Sequence, residues 1–371
     1  MLILYWLILV FVVGAIVGSF VNVAVARLPF EKSLVWPGSR CGQCFQRIRW
    51  YDNVPLVSYV WLRGRCRTCG TRFSARYVFV ELFTALGFVG LFYFEMMLNV
   101  HRWPPLNAMI NFGFYPLQWW AGYGFHALLF AFLMAASVCD LEGREIPFPL
   151  TLTGAIVGLI GAVLMPWPWL STPQDALPRN PFGGGEDWLA GQIGQGIYPW
   201  PVWGPLPNWL PAGSWQLGLA TGLAGFLVGT MMLRAVGFLF SKGLGRDALG
   251  LGDADLMMMA GSFLGWQPVV MAFFVSVAPA LVFGLVQWFV RRDNELPFGP
   301  SLAAGLLVTM LGWHWIGAYV QPLFFMGYLL LVLVAFGAIF MLGSAYLMRV
   351  TRRREPERPP DEGDHDQDSD R

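Results

Sequence analysis

Long apolar runs broken by short polar stretches decide what this chain can fold into. Runs near 1–26, 78–100, 124–139, 148–165, 217–240, 256–266, 268–290, 301–317 and 323–348 carry very few charged residues. About 20 apolar residues in a helix cross the hydrocarbon core, and a helix satisfies its own backbone hydrogen bonds there. The expected fold is therefore an all-α polytopic membrane protein with about eight to nine transmembrane helices. Residues 256–266 read as a short sixth span and the run from Pro268 to Val290 as a seventh, although one bent segment would also fit. Composition agrees: charged residues make up 13% of the chain and its mean hydropathy is +0.54, whereas soluble domains are about a quarter charged. The net charge of +1 gives no reason to expect a nucleic-acid partner; the bilayer is the expected environment.

Polar segments divide these runs. The first helix, 1–26, has no basic stretch ahead of it and is long enough to span, so it is read as a retained helix and not a cleaved signal. Residues 27–77 hold ten Lys or Arg against two acidic residues, which places them in the cytoplasm by the positive-inside rule. The N-terminus is then outside, and Asp140, Asp253 and the charged tail at 349–371 lie on the cytoplasmic side of an inner-membrane protein. Residues 78–165 form spans two to four. Residues 166–216, with ten Pro, seven Trp and four charged residues, cannot span and are expected as an outer loop on the headgroups. The remaining spans occupy 217–348, and the tail is expected to be disordered.

Cys41-Gly42-Gln43-Cys44 and Cys66-Arg67-Thr68-Cys69 are two C-x-x-C pairs separated by 21 residues. Four thiolates so spaced can wrap a tetrahedral Zn²⁺ with no open position, giving the metal a structural task. Catalytic thiols are the competing reading, but neither pair lies between a strand and a helix.

Two carboxylates stand where apolar runs meet the cytoplasmic face. Asp253 lies in Gly250-Leu251-Gly252-Asp253-Ala254-Asp255, whose glycines suit a sharp turn and the close approach of another chain. Asp140 follows Met134 to Cys139 and precedes Leu141 to Pro147. Ionisable groups in such places point to function. If the helices bring the two together, they can share a proton and activate a water. Other polar residues have structural readings. Gly14, Gly18 and Ser19 offer a small-residue face, Asn22 an interhelical hydrogen bond. Glu81 and Arg234 are placed to snorkel. His126 reads as a satisfied core histidine, and Cys139 as a buried small residue.

These pieces, in this order, resemble the prepilin peptidase (type IV leader peptidase) family of G-x-G-D intramembrane aspartyl proteases. The resemblance begins at Gly18-Ser19-Phe20-Val21-Asn22-Val23 with Arg27-Leu28-Pro29. It continues through Asn53 to Tyr59, the cysteine pairs, Ser74-Ala75-Arg76-Tyr77 and Glu81. It ends with Asp140 and Ile146-Pro147, Gly250 to Asp253, and Pro297-Phe298-Gly299-Pro300. Each block is weak alone; their conjunction is specific. Asp255 stands where the family usually has Lys and adds negative charge beside Asp253. Phe148 and Val78 replace a usual polar residue and a usual proline, and the 166–216 insertion and ninth span exceed the family plan.

The resemblance implies an endopeptidase with Asp140 and Asp253 as its catalytic pair, 112 residues lying between them. Its substrates would be type IV prepilin or pseudopilin precursors with a short basic leader, a Gly before the cut and an apolar helix after it. Glu142, Glu145 and Asp255 are the candidates to receive the leader; Gly18, Asn22, Arg27, Gly250 and Gly252 carry the structural motifs. Members with the cysteine pairs often also N-methylate the new amino terminus with S-adenosylmethionine, although no separate motif for that donor is readable. A non-enzymatic transporter or assembly scaffold, with the two Asp residues as ion ligands, is the alternative; it would gain from internal repeat symmetry, which is absent. Metallo- and serine-type intramembrane proteolysis lack their H-E-x-x-H and G-x-S-G signatures.

Overall fold

The computed structural model describes residues 2–101, 103, 113–166, 209–211, 213–244, 250–290, 297–324 and 328–352. Most of the Trp/Pro-rich segment and the tail after 352 lie outside the described residues. Among the described residues ten α-helices follow in order: α1 Leu2–Arg27, α2 Val57–Trp61, α3 Arg76–Phe92, α4 Leu117–Leu141, α5 Phe148–Leu164, α6 Trp215–Leu244, α7 Leu251–Leu264, α8 Trp266–Val290, α9 Gly299–Phe324 and α10 Tyr328–Arg352. Single 3₁₀ turns sit at Leu28–Phe30 and Trp50–Asp52, and α3 continues through a π-helical turn at Tyr93–Met97. Among the described residues there is no strand, only isolated bridges between Arg40 and Arg47 and between Arg65 and Arg72.

Six helices, α1, α3 with its π turn, α4, α6, α8 and α10, are long and apolar enough to cross a membrane; α5 and the Gly299–Trp313 part of α9 are shorter apolar helices. The chain is a multi-pass membrane protein. Leu28 after α1, Leu141 at the end of α4, Phe148 at the start of α5, Leu251 at the start of α7 and Pro300 in the first turn of α9 meet around one cavity, and Arg76 at the start of α3 reaches the same end through Glu142.

The run beginning at 256 behaves differently from the others. At 14 residues, α7 extends about 21 Å, short of the roughly 30 Å of hydrocarbon. It is buried on every face from Asp253 to Leu264 and packs against α4, α5, α6, α8 and α9. A helix apolar all round belongs in an interior, and here it forms the core of the bundle. Its seat on α6 needs glycine. A Cβ at Gly225 would lie 1.9 Å from the Gly261 carbonyl oxygen, and one at Gly229 would lie 2.2 Å from that of Met257. Gly265, at φ 83°, ends α7 before Trp266, with Pro268 in the first turn of α8, where a missing N–H costs nothing. Residues 256–290 are therefore two helices and not one bent span.

At the other side of the bundle α1 lies against α3. Cβ atoms at Gly14 and Gly18 would come within 2.8 Å of Ala85 Cα and 2.7 Å of Glu81 Cα, the small-residue contact that lets membrane helices touch. Asn22 Nδ2 donates to the Tyr77 carbonyl at 2.9 Å and adds a polar tie between the same two helices.

Candidate active site

Asp140 sits in the last turn of α4. Gly143, at φ 67°, closes that helix: its N–H donates to Asp140 O at 2.9 Å and the Arg144 N–H to Cys139 O at 3.0 Å. This paired closure is the usual way a left-handed glycine ends a helix. The carbonyl end of α4 alone would disfavour an anion there. The offset comes from α9, whose first residue, Gly299, donates its N–H to Asp140 Oδ2 at 2.7 Å. Asp253 occupies the first turn of α7, at the amide end of a helix dipole. Each carboxylate thus has a helix N-terminus directed towards it.

The chain after Asp140 also holds the start of α7. A Cβ at Gly252 would lie 3.0 Å from Ile146 Cβ and 3.3 Å from its backbone nitrogen, so Gly252 is where close approach is required. Gly250, at φ −69° and ψ 144°, has a conformation open to any residue, and a Cβ there would be 3.9 Å from Asp253 Oδ2. The sharp-turn reading of that glycine is therefore replaced by close contact at its neighbour.

Arginines pin the 141–147 loop in place. Glu142 forms ion pairs with Arg76, at the start of α3, and with Arg144 at 3.0 Å. Arg144 Nη1 also donates to the Val25 carbonyl of α1 at 3.0 Å and lies 5.3 Å from the centre of the Phe30 ring. Sequence reasoning missed these positioning roles, since the partners lie on α1, on the 3₁₀ turn after it and on α3.

Asp140, Glu142, Glu145, Gly250, Gly252, Asp253 and Asp255 all line one open cavity of about 1520 Å³. Glu31 joins them, which makes six carboxylate residues against a single arginine, Arg144; Phe30, Phe148, Phe283 and Val286 supply an apolar wall. Not every carboxylate is equally available to a cation. Glu142 is committed to arginines, and Asp255 pairs with Arg234 of α6 at 3.1 Å, so the charge added in place of the expected Lys is met by a helix neighbour. Arg234 therefore does more than snorkel. Glu31 and Glu145 form no ion pair among the described residues.

The cysteine segment is built as a repeated knuckle. Cys41 N–H donates to Gln46 O and Phe45 N–H to Cys41 O; 25 positions on, Cys66 N–H donates to Thr71 O and Gly70 N–H to Cys66 O. Phe45 and Gly70 both have positive φ. The four sulfurs lie within 4.8 Å of one another, and Cys41 and Cys69 are 3.8 Å apart. Zn–S bonds of about 2.3 Å put the corners of a tetrahedron about 3.8 Å apart, so the donor set fits zinc. Backbone N–H groups of Cys69 and Thr68 lower the Cys66 thiol to about 6 and those of Cys44 and Gln43 lower Cys41, whereas burial and the neighbouring sulfurs push Cys69 up to about 11; the sulfur spacing, and not the acidity of the thiols, carries the zinc assignment. Arg27 braces this segment through the carbonyls of Ser33, Leu34 and Pro37. Glu81 accepts the Leu56 N–H at 2.8 Å, tying the segment to α3 where snorkelling was expected.

Comparison with known proteins follows the same division. Residues 12–94 match the profile described as the bacterial peptidase A24 N-terminal domain, and residues 202–285 match the type IV leader peptidase family. Asp253 falls inside the second match, and Asp140 lies between the two. A prepilin leader peptidase/N-methyltransferase of Myxococcus xanthus is 31% identical over 330 residues, 81% of this chain and 89% of the relative. One from Pseudomonas putida is 28% identical over 334 residues, covering 83% and 91%. A type 4 prepilin-like proteins leader peptide-processing enzyme of Escherichia coli is 28% identical over 329 residues, covering 84% and 93%. No solved structure matches significantly. Two matched domains in order, relatives aligned over most of both lengths and two aspartates on one cavity agree, and the chain belongs to the prepilin peptidase family.

Proposed function

We propose that this chain is an aspartic endopeptidase that removes the basic leader from prepilin or pseudopilin precursors at Asp140 and Asp253, and N-methylates the amino terminus it creates. The observation that carries the reading is that both carboxylates open onto one cavity lined by four further carboxylates, an apolar wall and one arginine that is itself paired with Glu142. A leader bearing Lys or Arg is drawn towards such a surface by its field. Glu31 and Glu145 are the carboxylates placed to pair with it. Glu142 and Asp255 add negative potential while remaining on their own arginines. Phe148, Phe283 and Val286 face the apolar helix that follows the cut.

In the reaction the pair holds one proton. The ionised carboxylate takes a proton from water, whose oxygen attacks the scissile carbonyl carbon. The protonated partner donates to the carbonyl oxygen as it gains charge. Collapse of the tetrahedral intermediate breaks the C–N bond, and a carboxyl proton passes to the leaving amine. The pair titrates as a unit, so acid and base are roles of the dyad.

The basic segment at 27–77 supports a cytoplasmic active face, an outer N-terminus and an inner-membrane location. Zinc on Cys41, Cys44, Cys66 and Cys69 would hold the knuckle closed. S-adenosylmethionine, when bound, supplies an electrophilic methyl group. Its sulfonium and ammonium suit Glu31 and Glu145, with the rings of Phe30 and Phe148 nearby for cation–π contact. Family membership favours hydrolysis over the transporter or scaffold reading of the aspartates.

The test uses membranes containing the full chain, a prepilin precursor, and the Asp140→Asn and Asp253→Asn variants at matched expression. Cleavage lost in both is expected; cleavage retained in either removes that residue from the dyad.

A further inference from the structure

At the end of the bundle remote from Asp140 and Asp253, a second set of ligand-type side chains comes together. Glu95, in the π-helical turn that extends α3, is fully buried. His126 Nδ1, from α4, lies 2.8 Å from Glu95 Oε1, and His101 Nε2, from the chain after the π turn, lies 3.3 Å from the same oxygen. The side chains of His101 and His126 are 3% and 11% exposed, and the three donor atoms fall within 4.8 Å of one another. Trp103 lies tilted against His101 with ring centres 5.4 Å apart, and Trp119, at 1% exposure, meets Trp103 edge-on at 5.6 Å.

Hydrogen bonding within the cluster leaves it incomplete. Among the described residues Glu95 Oε2 and His101 Nδ1 are buried without a partner, and an unpaired carboxylate oxygen at membrane depth is costly. A π turn is itself uncommon and frequent at functional positions. Two imidazoles and one carboxylate match the three-ligand set with which proteins hold Zn²⁺ while leaving a fourth position open.

We propose that Glu95, His101 and His126 bind a divalent transition-metal ion of the zinc class, separate from the four-cysteine site. The ion is held by one Glu95 oxygen, His101 Nε2 and His126 Nδ1, and it locks the segment carrying His101 and Trp103 onto α3 and α4.

The test is equilibrium dialysis of the full-length, detergent-solubilised chain against Zn²⁺, followed by metal analysis. Two ions per chain are expected for the unaltered protein, and one for His101→Gln, for His126→Gln and for the variant with all four knuckle cysteines changed to serine. Co²⁺ in the serine variant should show ligand-field bands without sulfur charge transfer. If the serine variant binds no ion while the unaltered protein binds one, the cluster is a hydrogen-bonded core and the proposal fails. An unchanged count of two in both histidine variants would also overturn it. The readout on the serine variant does not depend on the folding of the histidine variants.

Discussion

Gly299→Ala should separate catalysis from stability. The added Cβ would stand 2.8 Å from Asp140 Oδ2 and 3.2 Å from its Cγ, closer than side-chain carbons approach. Asp140 is the mobile party, so its carboxylate swings away and the 2.7 Å bond from the Gly299 N–H is lost or misdirected. Alanine suits a helix at least as well as glycine, so the fold should tolerate the change. A hydrogen bond to a charged group contributes about 1.5–3 kcal/mol, and each 1.36 kcal/mol is about tenfold in rate. Misplacing a reacting group by about 1 Å costs a similar factor. Initial rates of prepilin cleavage should show kcat reduced by about tenfold to a hundredfold, with KM and thermal unfolding in detergent close to the unaltered protein. Gly250→Ala is the matched control: its Cβ would lie 3.9 Å from Asp253 Oδ2, an ordinary contact, and cleavage should persist. A Gly299→Ala enzyme within twofold of the original rate would refute the positioning of Asp140 by α9.

Asp255→Lys, which restores the family's usual residue, should destabilise the protein on its own because the new cation meets Arg234; adding Arg234→Ala should recover the melting temperature. A chelator strong enough to strip Zn²⁺ from the knuckle, or Cys41→Ser with Cys66→Ser, should make residues 31–75 sensitive to protease, while α3 to α9 stay protected; unchanged protection of the knuckle would contradict the zinc assignment. Arg67 holds the Asp52 carboxyl below its ordinary 3.8 through a bidentate contact, Nε donating to Oδ2 and Nη2 to Oδ1. The stability from that pair is present above the unfolded value and lost as pH falls through the lower folded one. Asp52→Asn should therefore speed amide exchange in the knuckle near pH 6, and the difference from the unaltered chain should shrink as pH falls through the carboxyl's lowered folded value.

Local pattern and long-range pairing were unequally legible in the sequence. The long helices could be read because span length and apolarity are local properties, and the cysteine knuckle because its spacing carries its own geometry. The central place of α7 could not be read in the same way. Its residues are as apolar as a lipid-facing span, and only the close approach of Gly225 and Gly229 shows that it is wrapped by other helices. The partners of charged residues were hidden for a related reason. Arg234 and Glu81 each suited snorkelling, yet one meets Asp255 and the other the Leu56 N–H, contacts fixed by helix packing. Glu95 passed unremarked inside the run at 78–100, although a carboxylate there, with histidines at 101 and 126, was a signal that burial would demand partners. The convergence of Asp140 and Asp253 depends on α9 and on the contact between Gly252 and Ile146, and neither contact is visible in either local motif.

Whether the two aspartates act as one unit is tested most directly by comparing residual cleavage in Asp140→Asn, Asp253→Asn and the double variant. Groups that share a single water and proton fail together, so each single change should abolish catalysis by a similar factor and the double variant should be no slower than either. Losses that multiply in the double variant would show two independent contributions and would contradict a shared dyad.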